Sequence, residues 1–212
     1  MKPILLIGSQ GQVGTEIQNI LKTTSQLTAI SRQQIDLTQP ENLRTIIRDI
    51  KPAIIINAAA YTAVDKAESE PEIAHTINAI TPQIIAQETE KLGSFLIHIS
   101  TDYVFNGQSN YPYQESDITQ PLNIYGTTKL EGEKAIQQTC ENHIILRTAW
   151  VYGTHGKGNF VKTILKKWLN QELPTSVLLS VQKQVQKSKI KPETVKNLES
   201  ILPIFYKKNP QV

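Results

Sequence analysis

Five short aliphatic runs, separated by longer segments, recur between residues 3 and 147. Each run is bounded by turn-forming or polar residues, which is typical of buried strands. The predicted strands are PILLI (3–7), LTAIS (27–31), AIIIN (53–57), SFLIHIS (94–100) and HIILR (143–147). The predicted helices are 12–23, 40–50, 65–92 and 125–140. This alternation predicts an α/β fold, a Rossmann-type doubly wound parallel sheet with helices on both faces.

The composition narrows the class of protein and its partners. Hydrophobic residues make up 39% of the chain, charged residues 19%, and the net charge is +3, so neither nucleic acid nor a membrane surface is expected as a partner. The single cysteine, Cys140, excludes a disulfide framework and suits a reducing cytoplasm, the expected location. No apolar run approaches the roughly 18 residues of a membrane helix.

The alternation cannot be extended beyond about residue 173. From residue 180 to 212 the chain holds seven lysines and two glutamates. Aromatic residues are not interleaved with this charge in the way that base stacking would require, so a solvated helix or tail is favoured over a nucleic-acid arm. We therefore predict two regions, an NAD(P)-binding Rossmann domain with the catalytic residues over 1–172 and a divergent basic segment over 173–212.

A glycine-rich stretch, LLIGSQGQVGTEI, directly follows the first predicted strand and leads into the first predicted helix. Gly8, Gly11 and Gly14 have the spacing G-x-x-G-x-x-G. A strand, a tight turn and a helix N-terminus place backbone N–H groups beneath a pyrophosphate, and glycine lets the backbone approach it closely. This context predicts dinucleotide binding. The alternative is a tight turn with a structural role only.

The residues after the second predicted strand bear on which dinucleotide binds. An acidic residue here would hold the ribose 2′-hydroxyl of NAD, whereas an arginine can hold a 2′-phosphate. Ser31 and Arg32 occupy the position, which favours NADPH, with NADH as the alternative cofactor and a solvated Arg32 as the alternative interpretation. Asp36 could accept from the adenine amino group or cap the helix that starts near Pro40. The small residues at 58–60 would allow backbone to lie close to a flat ligand, or would serve close packing alone.

A set of reactive groups follows the fourth predicted strand. Thr101 lies at its carboxyl end, and Tyr125 and Lys129 share one face of the last predicted helix. This set suits carbonyl reduction, in which Tyr125 supplies a proton and Thr101 donates a hydrogen bond to the carbonyl oxygen. The Lys129 ammonium is expected to lower the pKa of the phenol from about 10 and to hold the nicotinamide ribose. The alternative is a tyrosine and a lysine that merely share a helix face.

Four longer motifs indicate a particular family of reductases. NAAAYTAVDKAESEPE, HISTDYVFNG, PLNIYGTTKLEGEKA and LRTAWVYG occur in this order, and together they strongly resemble the dTDP-4-dehydrorhamnose reductase family of extended short-chain dehydrogenases/reductases over about residues 3–167. The resemblance implies NAD(P)H-dependent reduction of dTDP-4-dehydro-L-rhamnose to dTDP-L-rhamnose, a sugar donor for bacterial surface polysaccharides.

The resemblance also implies residue roles. Gly11, Gln12 and Val13 would contact the pyrophosphate, Asp36 and Leu37 the adenine side, and Ala60, Tyr61 and Thr62 the cofactor beyond the third strand. Thr101, Tyr125 and Lys129 would be catalytic. Asp102 and Trp150 would contact the nucleotide-sugar, an ordinary core tryptophan being the alternative for Trp150. Some family members bind magnesium at a dimer contact, but only Glu16 matches the glutamates expected there, so no metal is predicted and a homodimer is left open.

The last 40 or so residues depart from the family pattern. An aspartate–glutamine pair, a glycine–x–proline–threonine turn and an arginine–proline motif are expected after residue 168 and are not found. We therefore expect the substrate subdomain to be largely missing, through truncation, frameshift or natural divergence. The alternatives to the reductase are a non-catalytic cofactor-binding regulatory or truncated product, and another nucleotide-sugar reductase or epimerase.

Overall fold

The computed structural model describes residues 2–23, 26–153 and 159–170. The chain divides into two compact units, Met1–Ala149 and Trp150–Val212. The predicted basic segment 173–212 lies outside the described residues, and the domain boundary at 172 stays a prediction.

A five-stranded parallel sheet forms the centre of the first unit. The strands are β1 Pro3–Ile7, β2 Gln26–Ile30, β3 Ile54–Asn57, β4 Phe95–Thr101 and β5 His143–Thr148. Their spatial order is β2-β1-β3-β4-β5, and every neighbouring pair is parallel. The five predicted strands and the parallel α/β sheet are confirmed, with strand ends shifted by about one residue. In the strand order, β2 lies on one side of β1 and β3 lies on the other. The carboxyl ends of β1 and β3 therefore form the topological switch point, where such folds bind ligands.

Helices of different lengths connect the strands. They are α1 Gln12–Leu21, α2 Asn42–Ile50, α3 Val64–Ala67, α4 Pro71–His75, α5 Thr81–Leu92 and α6 Ile124–Thr139, and α7 Phe160–Leu169 belongs to the second unit. A 3₁₀ turn, Asp102–Val104, follows β4.

The prediction of one continuous helix over 65–92 is wrong. The structure ends α3 at Ala67, starts α4 at Pro71, and joins α4 to α5 through a π-helix, Thr76–Ile80. Pro71 and Pro82 each lie at the start of a helix. Proline has no N–H to donate and clashes with the preceding turn, which accounts for the new start at Pro71 after the break at residues 68–70. At Pro82 the helical backbone continues without a break from the π-helix into α5.

The core of the first unit lies where the central strands meet α2, α5 and α6. Its fully buried side chains come from both the strands and the helices. They include Leu5, Ile7, Leu43, Ile47, Ile55, Ile85, Leu96 and Ile136. This apolar cluster fixes the strand ends, and hence the loops that follow them.

Glu88 joins α5 to α2 through a cluster of ion pairs. Its side chain is 1% exposed and accepts hydrogen bonds from Arg44 Nη1 at 3.0 Å, Arg48 Nε at 2.6 Å and Lys91 Nζ at 3.0 Å. The hydrogen bond from Arg48 is the largest influence on the Glu88 carboxyl, and with the other donors it lowers the pKa to about 2 against the opposing effect of burial. The cluster therefore favours the ionised carboxylate in the folded state.

We expect Glu88→Gln to destabilise the chain at pH 7 by about 1.5–3 kcal/mol, the range for hydrogen bonds to charged groups. The folded-state pKa is below the unfolded value, so the contribution of Glu88 is present above about pH 4.5 and is lost as pH falls towards about 2. Urea unfolding at pH 7, 4.5 and 3 should show the difference between the two chains shrinking. Glu41→Gln is the matched control, because Glu41 pairs with the same Arg44 but is 72% exposed. Equal losses in both variants would contradict the assignment.

Candidate active site

The loop after β1 packs tightly against the loop after β3. Gly8 has φ +86°, and a Cβ on it would lie 2.7 Å from the backbone nitrogen of Ala59. A Cβ on Gly14 would collide with the backbone carbonyl of Gly8. Gly11 differs, because its φ is −70° and a Cβ there would meet only the Gly8 carbonyl oxygen, at 3.3 Å. The packing of the chain on itself therefore requires Gly8 and Gly14, whereas a Cβ at Gly11 would be tight but not excluded, and a cofactor contact at Gly11 stays a prediction.

The N-terminus of α1 suits an anion. Gly11 is the N-cap residue and provides no side-chain acceptor, and no acidic residue lies in the first turn. The N–H groups of a first turn carry partial positive charge, which favours phosphate. Gln12 and Val13, at the start of the helix, are partly buried. The predicted pyrophosphate residues therefore lie together, and they fit a dinucleotide phosphate.

The loop after β2 places Arg32 and Asp36 at the surface. Ser31 is buried and Arg32 is exposed. Asp36 Oδ1 accepts from the Thr38 backbone N–H at 2.9 Å and from its hydroxyl at 2.8 Å, and these bonds lower the pKa of the Asp36 carboxyl. The N-cap of α2 is Glu41, so Asp36 closes the preceding turn and does not cap the helix itself.

The loop after β3 is held to its neighbours by hydrogen bonds. The Ala58 N–H donates to the Ile7 carbonyl at 2.9 Å, which ties this loop to the end of β1. The Tyr61 N–H donates to Asn78 Oδ1 at 2.9 Å, and the Tyr61 hydroxyl donates to Glu70 at 2.6 Å. Leu37 packs against the main core, Ala60 is partly buried and Thr62 is exposed. The glycine loop and residues 58–62 thus meet at the switch point.

Thr101 and Tyr125 come together at the end of β4. The Thr101 hydroxyl donates to Asp102 Oδ1 at 3.2 Å, accepts from the Tyr103 N–H at 3.2 Å, and makes a hydrogen bond with the Tyr125 hydroxyl. Tyr125 is buried in the first turn of α6, and Asn123 caps that turn by accepting from the Gly126 N–H at 2.7 Å. A Cβ on Gly126 would collide with the Tyr103 carbonyl, so glycine lets α6 approach the end of β4 closely.

The expected lowering of the Tyr125 pKa by Lys129 is wrong for the chain as the structure describes it. Burial raises the pKa of the phenol, the hydrogen bond with Thr101 opposes this, and the charges of Asp102 and Tyr103 add to the increase. Because the ammonium group of Lys129 is directed to β4 instead, it does not offset the loss of solvent. Tyr125 therefore keeps its proton at neutral pH.

Lys129 is 1% exposed, and its polar contacts lie on β4. Nζ donates to the Ile99 carbonyl at 2.7 Å and lies 3.1 Å from His98 Nε2. Burial lowers the pKa of Lys129 to about 8, against an opposing effect of Glu133. His98 Nδ1 in turn lies 3.1 Å from Asn57 Nδ2. The sequence analysis missed His98 and Asn57, although each is a polar residue inside or at the end of an aliphatic run.

Trp150 belongs to the second unit. Its side chain is 70% exposed, and its ring contacts Phe160 edge-to-face with centroids 5.1 Å apart. The alternative of an ordinary core tryptophan is therefore wrong, and contact with a nucleotide-sugar stays a prediction.

Within residues 2–23, 26–153 and 159–170, no three His, Cys, Asp or Glu side chains cluster in a way that could hold a metal ion. No helix in these parts of the chain is long and apolar enough to cross a bilayer.

Known proteins resemble this chain over most of its length. A dTDP-4-dehydrorhamnose reductase of Escherichia coli (strain K12) is 51% identical over 168 residues, which are 77% of this chain and 56% of the reductase. Two crystal structures of such reductases superpose with a TM-score of 0.76. The Bacillus anthracis enzyme, solved in complex with NADP, is 35% identical, and the superposed region covers 80% of this chain and 60% of the enzyme. The Clostridium acetobutylicum enzyme is 39% identical, with 79% and 60% covered.

The chain thus spans somewhat more than half the length of the relatives it matches. The family model described as the RmlD substrate binding domain matches residues 1–184, beyond the residue near 167 where the recognised motifs end. With this match over most of the sequence, and the parallel sheet shared with the reductase structures, the chain belongs to the RmlD substrate binding domain family.

Proposed function

We propose that the chain carries the cofactor-binding and catalytic part of an NADPH-dependent reductase that converts dTDP-4-dehydro-L-rhamnose to dTDP-L-rhamnose. The observation that carries the proposal is the buried, protonated phenol of Tyr125 in hydrogen-bond contact with Thr101, at the carboxyl end of a strand in the same sheet as the glycine loop. The E. coli relative, named for this activity and 51% identical, supports the substrate.

The residues proposed to hold the cofactor fit its parts. The α1 N-terminus after Gly11 offers N–H groups and no acidic side chain to a pyrophosphate. Arg32 is exposed and free of an acidic neighbour in the two positions on either side, which suits a 2′-phosphate. Residues 58–62 would border the remainder of the dinucleotide. When bound, the nicotinamide supplies the hydride. NADP in the B. anthracis relative supports NADPH over NADH, and the residues present support no metal.

Tyr125 would act as the general acid. Because its pKa is raised, the phenol is protonated at neutral pH and can give its proton to the sugar oxygen as negative charge develops there. The Thr101 hydroxyl, which donates to Asp102 in this structure, would turn to donate to the same oxygen and stabilise that charge. Lys129 would orient the nicotinamide ribose from the same helix face, with Nζ turning away from the Ile99 carbonyl to which it donates in this structure.

Residues other than Thr101, Tyr125 and Lys129 would also bind the substrate. Asp102, half-buried beside Thr101, and the exposed Trp150 are proposed to contact the nucleotide-sugar. For this reductase we also propose a homodimer and a cytoplasmic location. The reductase names of the relatives favour this activity over an epimerase or a regulatory subunit.

We expect the chain to bind NADPH more tightly than NADH. Arg32→Ala should weaken NADPH binding about tenfold or more, through loss of a charge-assisted hydrogen bond worth roughly 1.5–3 kcal/mol, and should leave NADH binding unchanged. Nicotinamide fluorescence titrations measure both affinities. Lys134→Ala, at another exposed cation on α6, is the control and should change neither. Tighter binding of NADH by the unmodified chain would contradict the role given to Arg32.

We expect Tyr125→Phe to lower turnover about 100-fold or more, since general acid catalysis contributes on this scale, while the NADPH dissociation constant changes little. Tyr103→Phe is the matched control. It removes a neighbouring phenol whose ring contacts Tyr125 edge-to-face at 5.6 Å and which is 44% exposed. Similar losses in the two variants would show that the Tyr125 hydroxyl has no special role.

The proposed reaction is tested by following NADPH oxidation with dTDP-4-dehydro-L-rhamnose and identifying the sugar product. Since 44% of the E. coli reductase lies outside the match (100% − 56%), the assay compares the chain with a chimera that continues from Lys167 into the E. coli sequence. We expect slow turnover by the chain and restored turnover by the chimera, because remote substrate contacts support the chemical step. A chimera that binds NADPH but leaves this substrate unreduced would refute the proposed reaction.

A further inference from the structure

The second half of the motif NAAAYTAVDKAESEPE has no part in the proposed cofactor or substrate contacts. It covers most of α3, the turn at residues 68–70 and the start of α4 at Pro71. Ala67, the last residue of α3, is fully buried and lies in one apolar cluster with Tyr125. This part of the chain therefore packs beside the side chain that is proposed to give the proton.

Glu68 reaches from the turn to the first residue of α6. Its Oε1 accepts a hydrogen bond from the Ile124 backbone N–H at 2.9 Å. On the other side of Tyr125, the Gly126 N–H donates to Asn123 Oδ1 at 2.7 Å. The first N–H groups of a helix have no partner within the helix. Glu68 and Asn123 therefore satisfy two of these groups, on the two residues that flank Tyr125.

The carboxylate of Glu68 also supplies a charge that the start of α6 lacks. No acidic residue lies in the first turn of this helix. The N–H groups of a first turn carry partial positive charge, and a carboxylate beside them is stabilising. Later turns are held to the sheet by Lys129 and Glu133, through hydrogen bonds with Ile99 and Arg147. Tyr125 precedes both residues, so its position depends more directly on the contacts of the first turn.

The turn that carries Glu68 is itself anchored. The backbone N–H groups of Ser69 and Glu70 donate to the Lys66 carbonyl at 3.1 and 3.0 Å. The Glu70 carboxylate pairs with Lys66 Nζ at 2.7 Å and accepts from the Tyr61 hydroxyl at 2.6 Å. Both bonds lower the pKa of the Glu70 carboxyl, so it stays ionised at neutral pH. The turn thus joins the loop after β3, which contains Tyr61, to the start of α6.

The other end of α6 has a contact of the same kind. The Glu141 backbone N–H, just beyond the helix, donates to Glu90 Oε2 at 2.9 Å. Both acceptors are exposed glutamates and both bonds have the same length. The 16 residues of α6 place the two contacts about 24 Å apart at 1.5 Å per residue. A role of Glu68 in placing Tyr125 is therefore one that Glu90 does not share.

We propose that Glu68 is a positioning residue for Tyr125: its carboxylate holds the first turn of α6 against α3 and so keeps the Tyr125 hydroxyl at Thr101. The effect on turnover rests on the proposed reduction, whereas the order of the first turn can be measured without it.

The first test is solvent exchange of backbone amides, followed by NMR of the full chain without cofactor or substrate. We expect Glu68→Ala to speed exchange at Ile124 and Gly126 about fivefold or more, the scale of a lost helix cap. Glu68→Gln keeps an oxygen acceptor and should preserve slow exchange at both. Glu90→Ala is the matched control and should speed exchange at Glu141 alone. Unchanged exchange at Gly126 in Glu68→Ala would overturn the proposal.

The second test is turnover of NADPH and dTDP-4-dehydro-L-rhamnose, in the chain and in the chimera that continues from Lys167. Glu68→Ala should lower kcat about tenfold, because a small misplacement of a reacting group is costly, and should leave the NADPH dissociation constant within about twofold. Glu68→Gln should restore kcat, and Glu90→Ala should not change it. An equal loss of kcat in Glu68→Ala and Glu90→Ala, or no recovery with glutamine, would show that Glu68 does not position Tyr125.

The two tests separate this proposal from the proposed reaction. Faster exchange at Ile124 and Gly126 in Glu68→Ala, with no reduction of the sugar by the chimera, would retain the role of Glu68 in ordering α6 and refute the reaction. An active chimera whose exchange and kcat are both unaffected by Glu68→Ala would retain the reaction and refute the role of Glu68.

Discussion

Two buried charged side chains hold α6 against the sheet, and the candidate site depends on them. Lys129 bonds the backbone of β4 through the Ile99 carbonyl, and one turn later Glu133, 1% exposed, binds Ser100 of β4 and Arg147 of β5. A buried charge costs free energy unless it is paired or hydrogen-bonded, so these contacts specify one position of the helix more than a set of apolar contacts would. That position brings Tyr125 to Thr101. A small shift of α6 along β4 would separate the two hydroxyl groups.

The parts of the fold that follow from local pattern could be predicted from the sequence. The aliphatic runs predicted the strands to within about a residue. For the central strands this follows from burial, because a strand covered on both faces must be apolar along its whole length. The edge strand β5 is equally aliphatic, although its Ile144 and Leu146 are 44% and 45% exposed. The loops after β1, β3 and β4 could then be placed together, since the carboxyl ends of parallel strands lie at one edge of a sheet. Thr101 ends β4, and Tyr125 lies in the first turn of the helix that follows. Both could therefore be placed at this edge of the sheet, although 24 positions separate them (125 − 101).

What the sequence could not supply depends on tertiary contacts. The break in the segment 65–92 was signalled by Pro71, but a π-helix needs an extra residue to be accommodated by its neighbours, here with Asn78 bonded to Tyr61 and Thr128. The direction of the Tyr125 pKa could not be predicted either. Spacing along a helix shows that Lys129 shares a face with Tyr125, but not that its Nζ turns to the Ile99 carbonyl and His98.

The unequal demands on the three glycines have a consequence for how related sequences are interpreted. Gly8 and Gly14 are required by the packing of the chain on itself. A related protein without the cofactor would therefore still need both glycines in order to fold. The demand at Gly11 is weaker, because its φ is −70° and a Cβ there would approach only the Gly8 carbonyl oxygen, at 3.3 Å. If Gly11 contacts the cofactor as proposed, a relative with Gly8 and Gly14 intact but a bulky residue at position 11 would fold and would not bind the cofactor.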